Sequence, residues 1–217
     1  MTPQELAKYI DHTLLAPEAT SAEIAKLCVE ANQFKVKAVC VSPSHLPLEK
    51  GQISNEVAVA CVVGFPSGAH LGAVKANEAK IAVQNGANEI DMVVNLGFVF
   101  DSKWLELGDE IKAVRDAIKS SVVLKVIIES GALSDEQIVM ACRVAVDSGA
   151  DFVKTSTGFH KSGGATVHAV RLMRSTVGEK VGVKASGGIR TRETAIEMIN
   201  AGATRLGTSA TLTILGS

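Results

Sequence analysis

The stretch Ser148-Gly149-Ala150-Asp151-Phe152-Val153-Lys154-Thr155-Ser156-Thr157-Gly158-Phe159 decides how this chain is read. It opens with a glycine placed where a helix can end in a left-handed conformation. It then passes into a short β-like run and leaves in a Ser/Thr/Gly turn. The same junction recurs as Asn85-Gly86-Ala87 and as Ala201-Gly202-Ala203, each just ahead of another apolar run. A repeated helix–Gly–Ala–strand unit marks a βα array rather than a set of separate domains. The lysine is the second signal. Burying an unpaired ammonium in a strand core costs far more than a strand residue gains by packing. Lys154 must therefore be paired, have its pKa lowered, or be used chemically. Val181-Gly182-Val183-Lys184-Ala185-Ser186-Gly187-Gly188 repeats the arrangement around Lys184.

Working outward, short β-rich runs alternate with longer amphipathic ones. The strand candidates are Ile10–Leu14, Ala38–Ser42, Val57–Val63, Glu89–Asn95, Val122–Glu129, Phe152–Ser156, Val181–Ala185 and Arg205–Thr208. Helices are expected near 21–32, 70–85, 103–119, 135–148, 165–177 and 192–201, and 43–51 is too short for a full helix. Thr20-x-x-Glu23 and Ser134-x-x-Gln137 have capping-box spacing, and Thr2-Pro3-Gln4-Glu5 also reads as a helix start. Eight strands are what a (β/α)8 barrel requires, so the expected fold is an α/β TIM barrel forming a single domain over residues 1–217. The alternative is an open doubly wound sheet. The barrel is favoured because distinctive polar residues follow many different strands, whereas an open sheet would gather them at one switch point.

Composition narrows the function classes. The chain has 217 residues, 47% hydrophobic and 21% charged, which fits a soluble α/β domain with a substantial core. A formal net charge of -1 gives no general attraction to nucleic acid or anionic membrane. One Trp, one Tyr and six Phe do not make a base-stacking platform. No apolar run reaches membrane-span length, and the first residues do not read as a signal peptide, so a cytoplasmic location is expected. Cys28, Cys40, Cys61 and Cys142 lack CxxC spacing and read as small core residues in a reducing compartment. The five histidines form neither HxH nor HExxH, so no metal centre is expected.

Alternation along strands gathers the chemistry. Phe152, Lys154 and Ser156 share one side, as do Gly182, Lys184 and Ser186, and likewise Glu89, Asp91, Val93 and Asn95. Lys125, Ile127 and Glu129 form the matching set on the strand between. A barrel brings one such set inward and joins the strand C-termini at one face, so Asp91, Lys125, Lys154 and Lys184 converge. A neutral lysine amine attacks a carbonyl to form an imine, but at its reference pKa only about one in a few thousand is neutral at pH 7. Burial and a second ammonium both favour the neutral form. The plainer alternative is a set of structural Asp–Lys pairs on the inner barrel surface. The turns Ser186-Gly187-Gly188-Ile189-Arg190 and Gly207-Thr208-Ser209 follow the seventh and eighth candidate strands, where barrels often hold phosphate on backbone N–H groups. Gly158 and the pair Gly163-Gly164 let the loop after Lys154 come close to a ligand, or simply make a mobile turn. Cys40 faces the pocket by alternation, although a small buried apolar role is the simpler reading.

These fragments, in their order, carry a resemblance over nearly the whole chain. Asp11-His12-Thr13-Leu14-Leu15, Val39-Cys40-Val41, Val63-Gly64-Phe65-Pro66 and Glu89-Ile90-Asp91-Met92-Val93-Val94-Asn95 begin it. Leu124-Lys125-Val126-Ile127-Ile128-Glu129, the Lys154 and Lys184 segments and Gly207-Thr208-Ser209 complete it. The chain resembles the deoxyribose-phosphate aldolases. That resemblance implies a metal-independent, cofactor-free class I aldolase. Its members split 2-deoxy-D-ribose 5-phosphate reversibly into acetaldehyde and D-glyceraldehyde 3-phosphate, in deoxyribonucleoside catabolism. It implies Lys154 as the Schiff-base lysine, with Asp91 and Lys184 assisting proton transfer and amine activation. Gly158, Gly187, Gly188, Gly207 and Ser209 match the region that cradles phosphate, while Asp11, Thr13 and Lys125 stand as supporting residues. The implied partners are small phosphorylated sugars and aldehydes, with a homo-oligomer, dimer or tetramer, and neither nucleic acid nor membrane.

Two features differ from some relatives. Those have a longer C-terminal tail ending in a catalytic tyrosine, whereas this sequence ends Thr213-Ile214-Leu215-Gly216-Ser217 and its sole tyrosine is Tyr9. They also carry a lysine where this chain has Phe159. Another class I aldolase, a phosphosugar isomerase on the same barrel, and a non-catalytic phosphometabolite-binding barrel remain the competing readings.

Overall fold

The computed structural model describes residues 1–216; Ser217, the last residue of the expected 1–217 domain, lies outside the described residues. Eight parallel strands close on themselves: β1 Ile10–Leu14, β2 Ala38–Val41, β3 Ala58–Val63, β4 Glu89–Val93, β5 Val123–Ile127, β6 Phe152–Lys154, β7 Gly182–Ser186 and β8 Arg205–Thr208. β1 pairs with β8 through Asp11 opposite Gly207, and this closure excludes the open sheet. The helices are α1 Pro3–Ala7, α2 Ser21–Phe34, α3 Gly72–Gln84, α4 Leu96–Phe100, α5 Trp104–Ala117, α6 Asp135–Asp147, α7 Val167–Val177, α8 Arg192–Asn200 and α9 Thr211–Leu215. The architecture is the (β/α)8 barrel expected from the sequence.

The anticipated start signals operate as capping boxes. Thr2 with Glu5, Thr20 with Glu23 and Ser134 with Gln137 each satisfy donors at their helix starts. The stop signal is also uniform. Gly86, Gly149 and Gly202 have φ of +99°, +89° and +113°. The N–H of the following alanine then donates to a carbonyl five residues back: Ala87 to Ala82, Ala150 to Ala145 and Ala203 to Met198, all at 3.0 Å. That is the six-to-one bond of a Schellman ending, made three times at three αβ joints.

Several boundaries differ from expectation. β4, β5 and β6 end before Asn95, Glu129 and Ser156 because the chain turns there to shape the barrel mouth. Asn95 caps α4 by accepting from the Gly97 N–H, and Glu129 takes a left-handed conformation with φ +56°. Isolated pairing continues past these ends, as Ile128 N–H donates to the Lys154 carbonyl and Thr155 N–H to that of Lys184. The segment 43–51 holds only a 3-10 turn, Pro43–His45. α4 and α9 had no strong sequence signal: each is five residues long, with Gly97 inside the first and Thr and Ile in the second.

Strand alternation sorts the core into two environments. Val39, Val41, Ile90, Met92, Leu124, Val126, Val153, Val183 and Leu206 point outward and are buried against the helices. Inside, Cys40, Ala60 and Val62 form a small apolar cluster with Leu15 and Phe65 against it. The rest of the interior is charged. All four cysteines are buried and unpaired, and burial pushes Cys28 up to about 11 and Cys142 up to about 12. Among the described residues no helix is long and apolar enough to cross a membrane.

Candidate active site

A layer of buried charge fills the barrel below its C-terminal mouth. Asp91 is its centre. Its Oδ1 accepts from Lys125 Nζ at 2.7 Å, and its Oδ2 accepts from both Lys154 Nζ and Lys184 Nζ at 2.7 Å. Lys184 also donates to Asp11 Oδ2. Asp11 Oδ1 takes a 2.5 Å bond from Arg205 Nε, and Arg205 Nη2 spans both Glu89 oxygens at 2.7 and 2.6 Å. Lys125 Nζ closes the ring 2.5 Å from Glu89 Oε2. Register explains the convergence: Asp91 lies opposite Lys125, Lys154 opposite Lys184, and Lys184 opposite Arg205. The four residues brought together by alternation in the sequence thus meet around one carboxylate.

The three lysines are not equivalent. Lys184 contacts Asp11 and Asp91, and Lys125 contacts Glu89 and Asp91, with Asp11 at 3.7 Å. Lys154 contacts Asp91 alone among the described carboxylates. Burial lowers the Lys154 pKa, Asp91 resists, and the Lys184 ammonium adds to the lowering. Burial acts on Lys184 as well, but Asp11 and Asp91 outweigh it and hold that ammonium above its ordinary value. Lys125 is raised against burial, chiefly by Asp91. Burial would raise the Asp91 carboxyl, yet Lys125, Lys154 and Lys184 together hold it well below the usual carboxylate range. Asp11 is held at about 2, burial being overcome by Lys184, Lys125 and Arg205. Of the three amines, the Lys154 pKa is thus the one lowered, while Lys125 and Lys184 are held above the ordinary value.

Above this layer lies a cleft of about 440 Å³. Lys154 forms part of its lining, together with Thr13, Gly158, Gly187, Gly188, Gly207 and Ser209. Asp11, Asp91, Lys125 and Lys184 are completely buried and reach it only through Lys154 and their mutual bonds. The glycine loops dock on each other. A Cβ on Gly187, whose φ is +83°, would sit 2.9 Å from Gly164 Cα, and Ala165 N–H donates to the carbonyls of Ser186 and Gly187 at 3.0 and 3.1 Å. Gly207 has a second reason to be glycine. A Cβ there would meet Lys184 Cε at 3.1 Å, so its absence clears the path of the lysine side chain. Thr13 anchors its own turn by donating to the Asp11 carbonyl at 2.8 Å. Cys40 faces inward but belongs to the apolar inner cluster, and burial raises its thiol.

Three contributors were given no role in the sequence reading, although Glu89 and Glu129 were placed on the inward strand faces. Glu89 and Arg205 complete the charge layer. Glu89 shares the Asp91 face, a usable signal, but Arg205 opens a strand and looks like an exposed edge residue. Its guanidinium lies 5.8 Å from the Phe152 ring centroid, and the ring occupies space that a Cβ on Gly182 would enter. Glu129 is the third. It ties the cleft-lining Thr157 in place, accepting from its N–H at 3.2 Å and from its Oγ1 at 2.6 Å.

Comparison with known proteins identifies the family. The family model described as DeoC/LacD family aldolase matches residues 5–214. A deoxyribose-phosphate aldolase of Kocuria rhizophila is 56% identical over 215 residues, covering 99% of this chain and 97% of its own. One from Corynebacterium diphtheriae is 53% identical over 214 residues, with the same coverages. The tetrameric deoxyribose phosphate aldolase of Aeropyrum pernix superposes with a TM-score of 0.87 at 32% identity, over 100% of this chain and 92% of that one. With a buried lysine-rich site at the barrel mouth and a family match spanning nearly every residue, this chain belongs to the DeoC/LacD family of aldolases.

Proposed function

We propose that this aldolase splits 2-deoxy-D-ribose 5-phosphate reversibly into acetaldehyde and D-glyceraldehyde 3-phosphate through an imine on Lys154. One observation carries the assignment of the nucleophile. Lys154 is the ammonium that borders the cleft, has a single carboxylate partner and has a second ammonium on the same Asp91 oxygen. In the cleavage direction the neutral Lys154 amine attacks C1 of the open-chain sugar, and loss of water leaves a protonated imine. Removal of the C3 hydroxyl proton lets the C2–C3 bond break, and its electron pair moves into the imine to form an enamine. Glyceraldehyde 3-phosphate departs. Protonation of the enamine at C2 and hydrolysis release acetaldehyde and restore the amine. Asp91 and Lys184 assist these proton transfers and the activation of the amine, Lys184 by holding its charge on the Asp91 oxygen that Lys154 shares. Burial keeps water from weakening these interactions.

The phosphate is assigned to the glycine turns that share the cleft lining with Lys154. Backbone N–H groups of the Gly158, Gly187, Gly188 and Gly207 turns and the Ser209 hydroxyl would hold it, and Arg190 on the same lining would add positive charge. The relatives' names support the substrate. Four buried free thiols favour a reducing, cytoplasmic setting, and deoxyribonucleoside breakdown is the source of such a sugar phosphate. The tetrameric Aeropyrum relative supports a dimer or tetramer here.

The test is cyanoborohydride trapping with 2-deoxyribose 5-phosphate followed by peptide mass mapping. A substrate-dependent adduct on Lys154, with acetaldehyde detected, supports the reading. Lys154→Leu is expected to abolish both while leaving the protein folded. An adduct on Lys184 would reverse the lysine roles. A folded protein giving neither adduct nor cleavage would return the isomerase and the non-catalytic barrel.

A further inference from the structure

The charges inside the barrel do not balance. Lys125, Lys154, Lys184 and Arg205 face Asp11, Glu89 and Asp91, so full ionisation leaves four cations against three carboxylates. The count takes in every strand. β1 brings Asp11, β4 brings Glu89 and Asp91, and β5 to β8 bring Lys125, Lys154, Lys184 and Arg205. β2 brings no inward titratable group but Cys40, whose thiol burial raises, and β3 brings none, its inward residues including Ala60 and Val62.

A surplus charge in a dry interior is relieved most cheaply by releasing one proton. Arginine does not release one. Lys125 and Lys184 each have more than one carboxylate within reach, and Lys154 has one. We infer that Glu89 and Arg205, below the cleft and outside its lining, set the proton count of this layer and so keep Lys154 as its free amine. They are positioning residues. Glu89 acts through Lys125, and Arg205 acts through Asp11 on Lys184; both routes end at Asp91. The inference rests on Lys154 being the imine-forming residue.

Charge accounting makes the two residues act in opposite directions. Glu89→Gln keeps the shape and an acceptor for Lys125 and Arg205 but leaves two surplus positive charges, so Lys154 gives up its proton more readily. Arg205→Met removes the surplus, so Lys154 holds its proton. A role in folding alone predicts neither opposition.

The experiment measures the rate of cyanoborohydride trapping with 2-deoxyribose 5-phosphate against pH, with mass mapping of the adduct and circular dichroism to certify the fold. The acid-limb midpoint is expected to fall by about one pH unit in Glu89→Gln and to rise by about one in Arg205→Met. Arg205→Lys, which keeps the charge, is expected to restore the wild-type midpoint. If Arg205→Met fails to fold, Lys125→Met replaces it and is expected to raise the midpoint, since it too removes a cation; if Glu89→Gln fails, Asp11→Asn replaces it and is expected to lower the midpoint, since it too removes a carboxylate charge. Midpoints that stay within about 0.3 unit of wild type, or that move in the same direction for Glu89→Gln and Arg205→Met, overturn the inference. A wild-type protein without an adduct on Lys154 removes the underlying reading instead, and the inference with it.

Discussion

Lys75→Met tests the structural support of the site through a buried pair outside the barrel. Lys75, on α3, is completely buried, and its Nζ donates to Glu110 Oε2 on α5 and to the Val93 carbonyl, both at 2.8 Å. Glu110 Oε1 accepts from the Asn95 N–H at 2.7 Å. The pair therefore pins the end of β4, two residues beyond Asp91, between two helices. Burial lowers the Lys75 pKa and raises that of Glu110, with each partner opposing the shift. Methionine fills a similar volume but removes the counter-charge, leaving a buried carboxylate and an unpaired carbonyl. Breaking a buried pair from one side costs about 3–5 kcal/mol. In a chain of this length that corresponds to a fall of roughly 6–20 °C in Tm.

The sign with pH follows from Glu110. Its carboxyl is raised in the folded state, and more so without Lys75, so the penalty is fully present above the folded pKa. It fades as pH falls towards the unfolded value near about 4.3. Urea unfolding of the wild type and of Lys75→Met is therefore expected to differ most near pH 8 and least near pH 5. Lys75→Met/Glu110→Gln keeps an acceptor for Asn95 and is expected to recover about 2 kcal/mol of the loss. A single variant that loses less than about 1 kcal/mol at pH 8, or a difference that does not depend on pH, would refute the reasoning.

Two more outcomes test the site directly. Lys154 and Lys184 both lie 2.7 Å from one Asp91 oxygen, so their nitrogens are within about 5 Å of each other, and at an effective dielectric near 20 they repel by about 3–4 kcal/mol. Lys184→Met is thus expected to raise the acid limb of imine trapping by roughly two to three pH units, with recovery at alkaline pH that Lys154→Leu never shows; an unmoved limb would remove Lys184 as the electrostatic lever. Gly187→Ala places a Cβ 2.9 Å from Gly164 Cα at a φ of +83°, and a strain of this kind is expected to raise KM for the phosphorylated sugar roughly tenfold. Unphosphorylated 2-deoxyribose is expected to be affected less, and equal effects on both would argue against a phosphate role for that loop.

The barrel was legible because its signals are local. Gly86, Gly149 and Gly202 end helices by backbone geometry alone, and strand alternation brings Asp91, Lys125, Lys154 and Lys184 to one face without knowledge of any contact. The short α4 and α9 were not legible, since five residues give neither a period nor a strong cap. Glu129 was noted for its strand face, but its φ of +56° and its hold on Thr157 arise only where two loops meet. The Lys75–Glu110 pair joins residues 35 apart on two helices and left no local trace.

The sequence by itself determined the alternating βα units, favoured the (β/α)8 barrel and set the lysines and Asp91 on one face, because period, capping and chain order are written in neighbouring residues. Only the tertiary structure decided that Lys154 is the lysine whose pKa is lowered. That depends on how many carboxylates each ammonium meets: Asp11 and Arg205 come from β1 and β8, which pair only when the sheet closes, and Glu89 on β4 meets Arg205 only across the barrel interior. A pKa is a property of that assembled field, so no single strand contains it.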